Sequence, residues 1–249
     1  MRAEVDTDAF KSLTSCLDNV FYNTAFSVKE DSIHLTDATP DTAIMADIVL
    51  KNDFFNQFES QLPDDADNEK IGFNAENLHK VVKKVSDDTL TIYNDEGKLH
   101  ISWSGNKISL PILDADVKDV ETSNLEFDFK SECSLEKFLS CVDNLSFLEH
   151  PIRLTVKDGF DSVMMEVDSN QASGEVVLPV TDGMGEASEA LYTENILDDL
   201  CDCIEDIQTD DDSARTRLMF SDASPMKLVP ECMEGVKSNW FIAPRIEEV

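Results

Sequence analysis

Residues 10–20, F-K-S-L-T-S-C-L-D-N-V, return later in the chain as residues 135–145, L-E-K-F-L-S-C-V-D-N-L. In both copies the apolar residues recur at i, i+3, i+7 and i+10, which is the rhythm of an amphipathic helix. The aligned apolar positions are Phe10, Leu13, Leu17 and Val20 in the first copy and Leu135, Phe138, Val142 and Leu145 in the second. A helix repeated at this distance predicts an internally duplicated chain.

The segments that follow each copy also agree. A second helical pattern covers 74–85 in the first half and 193–207 in the second, and each is followed by strand-like runs such as T-L-T-I-Y at 89–93. Each half is therefore rich in strands and has two helices. This composition predicts an α+β fold in which helices pack on one face of antiparallel sheets.

A charged stretch separates the two halves. Residues 114–124, D-A-D-V-K-D-V-E-T-S-N, lie between two strand patterns and are typical of a connector. We therefore predict an N-terminal domain over 1–113, a connector over 114–124 and a C-terminal domain over 125–249.

The charge balance is strongly acidic. The 249 residues include 52 Asp and Glu against 20 Lys and Arg, a formal net charge of -32, while 41% of residues are hydrophobic. A globular core of that size leaves the carboxylates mostly on the surface, where molar salt would screen their repulsion. We expect a cytoplasmic protein of a high-salt cell, and an acidic protein that mimics DNA is the sharper alternative.

Several classes of function are disfavoured. The six cysteines lack paired metal spacing, so we expect reduced thiols, and no apolar run is long enough for a membrane span. Nucleotide, hydrolase and metalloprotease motifs are absent, and the isolated histidines are His34, His79, His100 and His150. We expect no catalytic activity and no cofactor.

Three stretches carry a family resemblance. They are the C-terminal N-W-F-I-A-P-R-I-E-E-V at 239–249, L-T-D-A-T-P-D-T-A-I-M-A-D-I-V-L at 35–50 and I-S-L-P-I-L-D-A-D-V at 108–117. With the duplication, they resemble the sliding clamp family of archaea and eukaryotes, the proliferating cell nuclear antigen. The resemblance implies a homotrimeric ring of duplicated clamp domains, with antiparallel sheets outside and two helices per domain lining a channel. Such a ring encircles double-stranded DNA and tethers DNA polymerase, the clamp loader and other proteins that carry a clamp-binding peptide.

The resemblance also implies which residues face DNA. The DNA-facing candidates are Lys11, Lys80, Lys83, Lys84 and Lys137. The fourth helix departs from the family because it carries Asp198, Asp199, Asp202, Glu205 and Asp206 and no lysine or arginine. A ring can hold DNA by topology, so few phosphate contacts are needed in high salt. Each lysine taken alone is also compatible with an ordinary solvated helix position.

Two more surfaces follow from the resemblance. The partner-peptide pocket would consist of Ala43, Met45, Val117, Val120, Pro225, Phe241, Ile242, Ala243 and Pro244. The subunit interface would consist of Lys107, Ile108, Ser109 and Leu110 on one strand and Glu175, Val176, Val177 and Leu178 on another. From the residues alone, the interface residues could also belong to ordinary strands, and the C-terminal pocket residues could belong to a core strand. A DNA mimic needs neither a duplication nor a pocket, so the sequence favours the clamp.

Overall fold

The computed structural model describes residues 1–60, 62, 66–114, 125–157, 159–209, 211 and 213–245. The first half runs β1 (Arg2–Asp6), α1 (Thr7–Val20), β2 (Asn23–Val28), β3 (Ser32–Ala38), β4 (Ile44–Lys51), β5 (Phe55–Glu59), β6 (Glu69–Asn74), α2 (Ala75–Val82), β7 (Thr89–Asp95), β8 (Lys98–Trp103) and β9 (Asn106–Pro111). The second half runs β10 (Phe129–Ser134), α3 (Leu135–Ser146), β11 (Ile152–Val156), β12 (Ser162–Asp168), β13 (Ser173–Pro179), β14 (Thr181–Gly185), β15 (Ser188–Tyr192), α4 (Glu194–Ile207), β16 (Arg215–Phe220), β17 (Met226–Pro230) and β18 (Val236–Ile242). The same order of strands and helices occurs twice.

The strands form three antiparallel sheets. Their orders are β5-β1-β7-β8-β9, β14-β10-β16-β17-β18-β4-β3-β2-β6 and β13-β12-β11-β15. The nine-stranded sheet combines five strands of the second half with four of the first, and the pairing of β18 with β4 joins them. The two repeats are therefore fused through one continuous ladder.

The helix caps correct the register of the repeat. The Asp6 carboxylate accepts hydrogen bonds from the backbone N–H groups of Asp8 and Ala9, and the Ser134 hydroxyl accepts one from Lys137. When the two repeats are aligned on these equivalent caps, Phe10 is aligned with Phe138. The pairing of Phe10 with Leu135 was therefore wrong by three residues, because a shift of almost one helical turn leaves the apolar pattern nearly unchanged.

The helices pack on one side of the sheets around a common core. Helix α1 contacts α2 and α4, and α3 contacts α4. The buried core cluster includes residues from both halves, among them Phe10, Phe138 and the fully buried Trp240. Among the residues that the structure describes, no helix combines the length and apolarity that crossing a membrane requires.

One cysteine pair contradicts the expectation of reduced thiols. Cys16 on α1 and Cys203 on α4 are joined by a disulfide at the buried contact between these helices. Cys133, Cys141, Cys201 and Cys232 are free thiols. Burial raises the pKa of the Cys133 thiol to about 12, so this thiol is protonated and unreactive near neutral pH.

Candidate functional site

Two strands of the predicted subunit interface lie at free sheet edges. Strand β9 ends one sheet and β13 ends another, so each has a backbone edge without a ladder partner in the part of the chain that the structure describes. The β9 residues Lys107, Ile108 and Ser109 are exposed, and Leu110 is half-buried. Such edges can pair with another chain.

On β13 the predicted interface residues differ in their exposure. Glu175 is exposed, Val176 is half-buried and Val177 is 57% exposed. Leu178 is fully buried in the core, because side chains on a strand alternate between its two faces. Leu178 can therefore contribute its backbone to an interface but not its side chain, which corrects its assignment.

The duplication specifies how these edges would meet. Ile92, Ile101 and Ile108 lie opposite one another on the last three strands of the first half, and Leu218, Leu228 and Trp240 do so in the second half, so Lys107 is equivalent to Asn239. Ser27, His34 and Val49 lie opposite one another on β2, β3 and β4 of the first half. The equivalent residues on β11, β12 and β13 of the second half are Thr155, Met164 and Val177. Strand β9 therefore corresponds to β18, and β13 corresponds to β4.

Within the chain, β18 and β4 are already paired. Asn239 lies opposite Asp47, and the Asn239 amide donates a hydrogen bond to Asp47 Oδ2 at 3.3 Å. By the row correspondence, Lys107 takes the position of Asn239 and Glu175 takes that of Asp47. A pairing of β9 with β13 of another copy in the same register would oppose a lysine and a carboxylate.

The lysines predicted to face DNA lie on the helices, but two of them are neutralised. Lys11 forms an ion pair with Asp8 at 3.1 Å, and Lys80 pairs with Glu76 one turn away. The remaining three are exposed; they are Lys83 and Lys84 in the turn directly after α2, and Lys137 in the first turn of α3. The helical side thus offers few uncompensated cations for phosphate contacts.

Carboxylates dominate the same helical side. A groove of about 820 Å³ is lined largely by acidic groups, which are Asp6, Asp8, Glu136, Glu205, Asp206, Asp211 and Glu234. Burial raises the pKa of Asp199, Glu205 and Asp206, and neighbouring α4 carboxylates, Asp202 among them, raise these pKa values further. Their mutual repulsion shows that α4 presents a strongly negative surface.

The C-terminal strand brings most of the predicted pocket residues together. Phe241 lies opposite Met45, and the Ala243 N–H donates to the Ala43 carbonyl at 2.9 Å. Pro244 is half-buried just beyond these residues. Pro225 is half-buried immediately before β17, the other neighbour of β18.

Phe241 differs from its neighbours on β18. Its side chain is 3% exposed but lies outside the core cluster, on the face of the sheet that points away from the helices. The Lys227 ammonium sits 5.0 Å from the centre of the Phe241 ring. Phe241 therefore anchors an apolar patch on the outer face, beside a lysine that sequence reasoning did not select.

Ile242 and the connector valines change the pocket assignment. Ile242 is fully buried in the core cluster, opposite Ile44, because it follows Phe241 and points to the other face. The inclusion of Ile242 in the pocket was therefore wrong. Val117 and Val120 lie outside the described residues.

Sequence reasoning also missed the cations next to this patch. Lys227 and Arg217 occupy the outer face of β17 and β16, in the runs M-K-L-V-P and R-T-R-L-M-F. The alternation of charged and apolar residues in these runs was the available signal. Within the described residues, no cluster of three or more His, Cys, Asp or Glu is placed to hold a metal ion.

Comparison with known proteins gives a consistent result along the whole chain. No family model matches the sequence. The chain is 25% identical over 253 residues to DNA polymerase sliding clamp 2 of Saccharolobus solfataricus, covering 99% of this chain and 100% of the relative. It is 24% identical over 260 residues to DNA polymerase sliding clamp 2 of Sulfolobus acidocaldarius, covering 98% of each.

Solved structures agree with these relatives. The PCNA2-PCNA3 complex from Sulfolobus tokodaii matches with a TM-score of 0.83 at 20% identity, over 99% of this chain and 100% of that one. A. fulgidus PCNA bound to the C-terminal region of FEN-1 matches with a TM-score of 0.81 at 14% identity, over 100% of this chain and 99% of that one. At these identities the structural similarity establishes the fold.

Proposed function

We propose that this chain, a divergent archaeal-type sliding clamp of the proliferating cell nuclear antigen family, is a DNA polymerase processivity factor that encircles duplex DNA. The curated relatives carry the name DNA polymerase sliding clamp over their full length. The chain would form a homotrimeric ring and tether replication and repair proteins to DNA.

The observation that carries the proposal is the arrangement of the repeat edges. Strands β18 and β4 are paired with each other inside the chain, whereas their equivalents β9 and β13 are end strands of two different sheets, each with one neighbouring strand among the described residues. A head-to-tail contact that repeats the internal junction would pair β9 with β13 of another copy, and it closes a ring when the rotation is right. Each copy then contributes two repeats to the ring.

The charges of the helical side are compatible with a ring that stays on DNA because it encircles the duplex. Direct phosphate binding requires cations and weakens steeply with salt, and here the fourth helix is acidic while Lys11 and Lys80 are already ion-paired. A closed ring remains on DNA without strong contacts. We propose that Lys83, Lys84 and Lys137 supply the remaining direct contacts, and that molar salt in the cytoplasm screens the carboxylates.

Partner tethering would use the apolar patch at the end of β18. The solved complex of A. fulgidus PCNA holds the C-terminal region of FEN-1. In this chain Phe241, Met45, Ala43, Ala243 and Pro244 meet on the outer face and offer anchoring contacts for such a segment. A binding and scaffolding role of this kind requires no catalytic group.

The DNA mimic has less support. A mimic needs carboxylates along an outward surface, but in this chain the outer face of the nine-stranded sheet carries Arg217 and Lys227. The groove lined largely by carboxylates lies instead on the helical side, with lining residues from α1, α3 and α4. The free edges β9 and β13 also have no role in a mimic.

The test is the molar mass by light scattering after size exclusion in molar KCl, over a range of protein concentrations. A mass near three times 27.8 kDa is expected for the homotrimer. Retention on circular DNA with loss from linear DNA would then demonstrate encirclement. A monomer that persists at every concentration would overturn the self-closing homotrimer, and a trimeric mass restored by added related subunits would then indicate a hetero-oligomeric ring.

A further inference from the structure

The outer face of the nine-stranded sheet concentrates positive charge. Seven of the 20 lysines and arginines lie on it, pointing away from the helices, although the chain carries a net charge of -32. These residues, named here the basic face, are Lys51, Lys70, Lys130, Arg215, Arg217, Lys227 and Lys237. An arrangement so opposed to the overall charge indicates a binding role for this face.

Fewer carboxylates than cations lie on the described part of the basic face. Those in the same rows are Asp47, Glu132 and Glu231, and Asp53 lies close enough to Lys237 to raise its pKa. Glu132 pairs with Arg215 at 3.5 Å, and Asp47 accepts hydrogen bonds from Asn239 and Thr36. Arg217 forms no ion pair among the described residues, and it is exposed.

The cations also crowd one another. The pKa of Lys227 is lowered by burial and by the neighbouring Arg217, and the pKa of Lys237 is lowered by a contact with Lys51. Like charges held this close repel in the free protein. Binding an anion between them would relieve the repulsion.

Part of the basic face forms a groove, and this groove lies near the apolar patch around Phe241. A groove of about 560 Å³ is lined by the cations Arg215, Arg217 and Lys237, by the carboxylates Glu132 and Glu231, and by residues of β17 and β18. Lys227 lies beside this groove, next to Arg217, and its ammonium lies over the Phe241 ring. A segment anchored on the apolar patch would therefore reach the cations without leaving the sheet face.

We infer that the basic face binds an acidic peptide segment of a partner protein, next to the segment anchored at Phe241. A peptide fits better than nucleic acid because the basic face continues, through Lys227 over the Phe241 ring, into the apolar patch where a peptide segment would already be anchored. The inference deepens the tethering part of the proposed function. It does not depend on ring closure, which the molar mass reports separately.

The experiment measures the fluorescence anisotropy of a short fluorescein-labelled polyglutamate peptide with the full chain, in moderate and in molar salt. Saturable binding is expected in moderate salt, with weakening in molar salt. The double variant Arg217→Ser, Lys227→Ser should weaken binding about tenfold, since each exposed ion pair contributes modestly. The matched control Lys157→Ser removes an exposed lysine from the end of β11, on another sheet, and should leave binding unchanged.

Two outcomes would overturn the inference. A single-stranded oligonucleotide of the same formal charge that binds more tightly than polyglutamate would assign the face to nucleic acid. Equal binding by wild type and the double variant would show that the peptide binds elsewhere. Circular dichroism of each variant separates loss of binding from loss of fold, and Arg217→Lys, Lys227→Arg should retain binding because both charges remain.

Discussion

Asn239 lies directly opposite Asp47 across the junction between the two repeats, and its amide donates to Asp47 Oδ2 at 3.3 Å. The equivalent positions on the free edges hold Lys107 and Glu175. The polar contact inside the chain would thus become an ion pair between copies. Lys107 is already held on the outer side of its sheet, with its ammonium 5.0 Å from the centre of the Tyr93 ring.

The first prediction concerns this pair. Lys107→Glu or Glu175→Lys alone should weaken self-association about tenfold per interface in moderate salt, because each puts like charges opposite one another. The double charge swap should restore association. Light scattering across a dilution series measures the effect, and Lys157→Glu serves as the control. If the swap fails to rescue the single variants, the proposed register is wrong.

The second prediction separates two adjacent residues on β18. Under the proposed tethering function, Phe241→Ala should abolish binding of a clamp-binding peptide and leave the molar mass unchanged, because Phe241 points to the outer face. Ile242→Ala should instead lower the free energy of unfolding by about 2–5 kcal/mol, since it opens a cavity in the core. Titration calorimetry and denaturant unfolding measure these effects. A trimer lost in Phe241→Ala would place that side chain in a structural role.

The contrast between these residues shows where sequence reasoning reaches its limit. The apolar run at 240–243 predicted a strand and a partner surface, and β18 does pair with β4 there. A run without polar residues does not reveal which side chains face inward, because alternation is the only signal of the strand's two faces. The placement of Ile242 in the pocket failed for this reason.

The helices show a second limit of the same kind. The apolar periodicity correctly predicted four amphipathic helices, but it could not fix the register between α1 and α3 because neighbouring turns look alike. The caps Asp6 and Ser134 carry that information. Similarly, the distance of 187 residues between Cys16 and Cys203 gave no sign that α1 and α4 bring them into contact.

The third prediction concerns the acidic helix and DNA. The triple variant Asp198→Asn, Asp202→Asn, Glu205→Gln should raise the affinity for linear duplex DNA, because it removes three negative charges from the helical side. A matched triple variant away from the helices, Glu30→Gln, Asp31→Asn, Glu96→Gln, should not. Anisotropy with labelled duplex in moderate salt measures the change. An equal gain in both variants would indicate a net-charge effect and would remove the helical side from DNA contact.

The fourth prediction follows from the raised carboxyl pKa values on α4. Asp199, Glu205 and Asp206 have folded-state pKa values above the ordinary 3.8 of Asp and 4.5 of Glu. The folded chain therefore binds protons at these groups more tightly than the unfolded chain does. Stability should rise as the pH falls from neutrality through the folded pKa values, and this contribution should be complete below the ordinary values.

A neutralised variant isolates these three groups from the general charge of the surface. Asp199→Asn, Glu205→Gln, Asp206→Asn should raise Tm at neutral pH and flatten the rise in Tm on acidification, because amides remove the repulsion that protonation would otherwise relieve. The triple variant at Glu30, Asp31 and Glu96 should keep the wild-type slope. Calorimetry in moderate salt gives the comparison, since molar salt screens the repulsion at every pH. A wild-type slope in the α4 variant would mean that the pH dependence comes from the whole surface and not from α4.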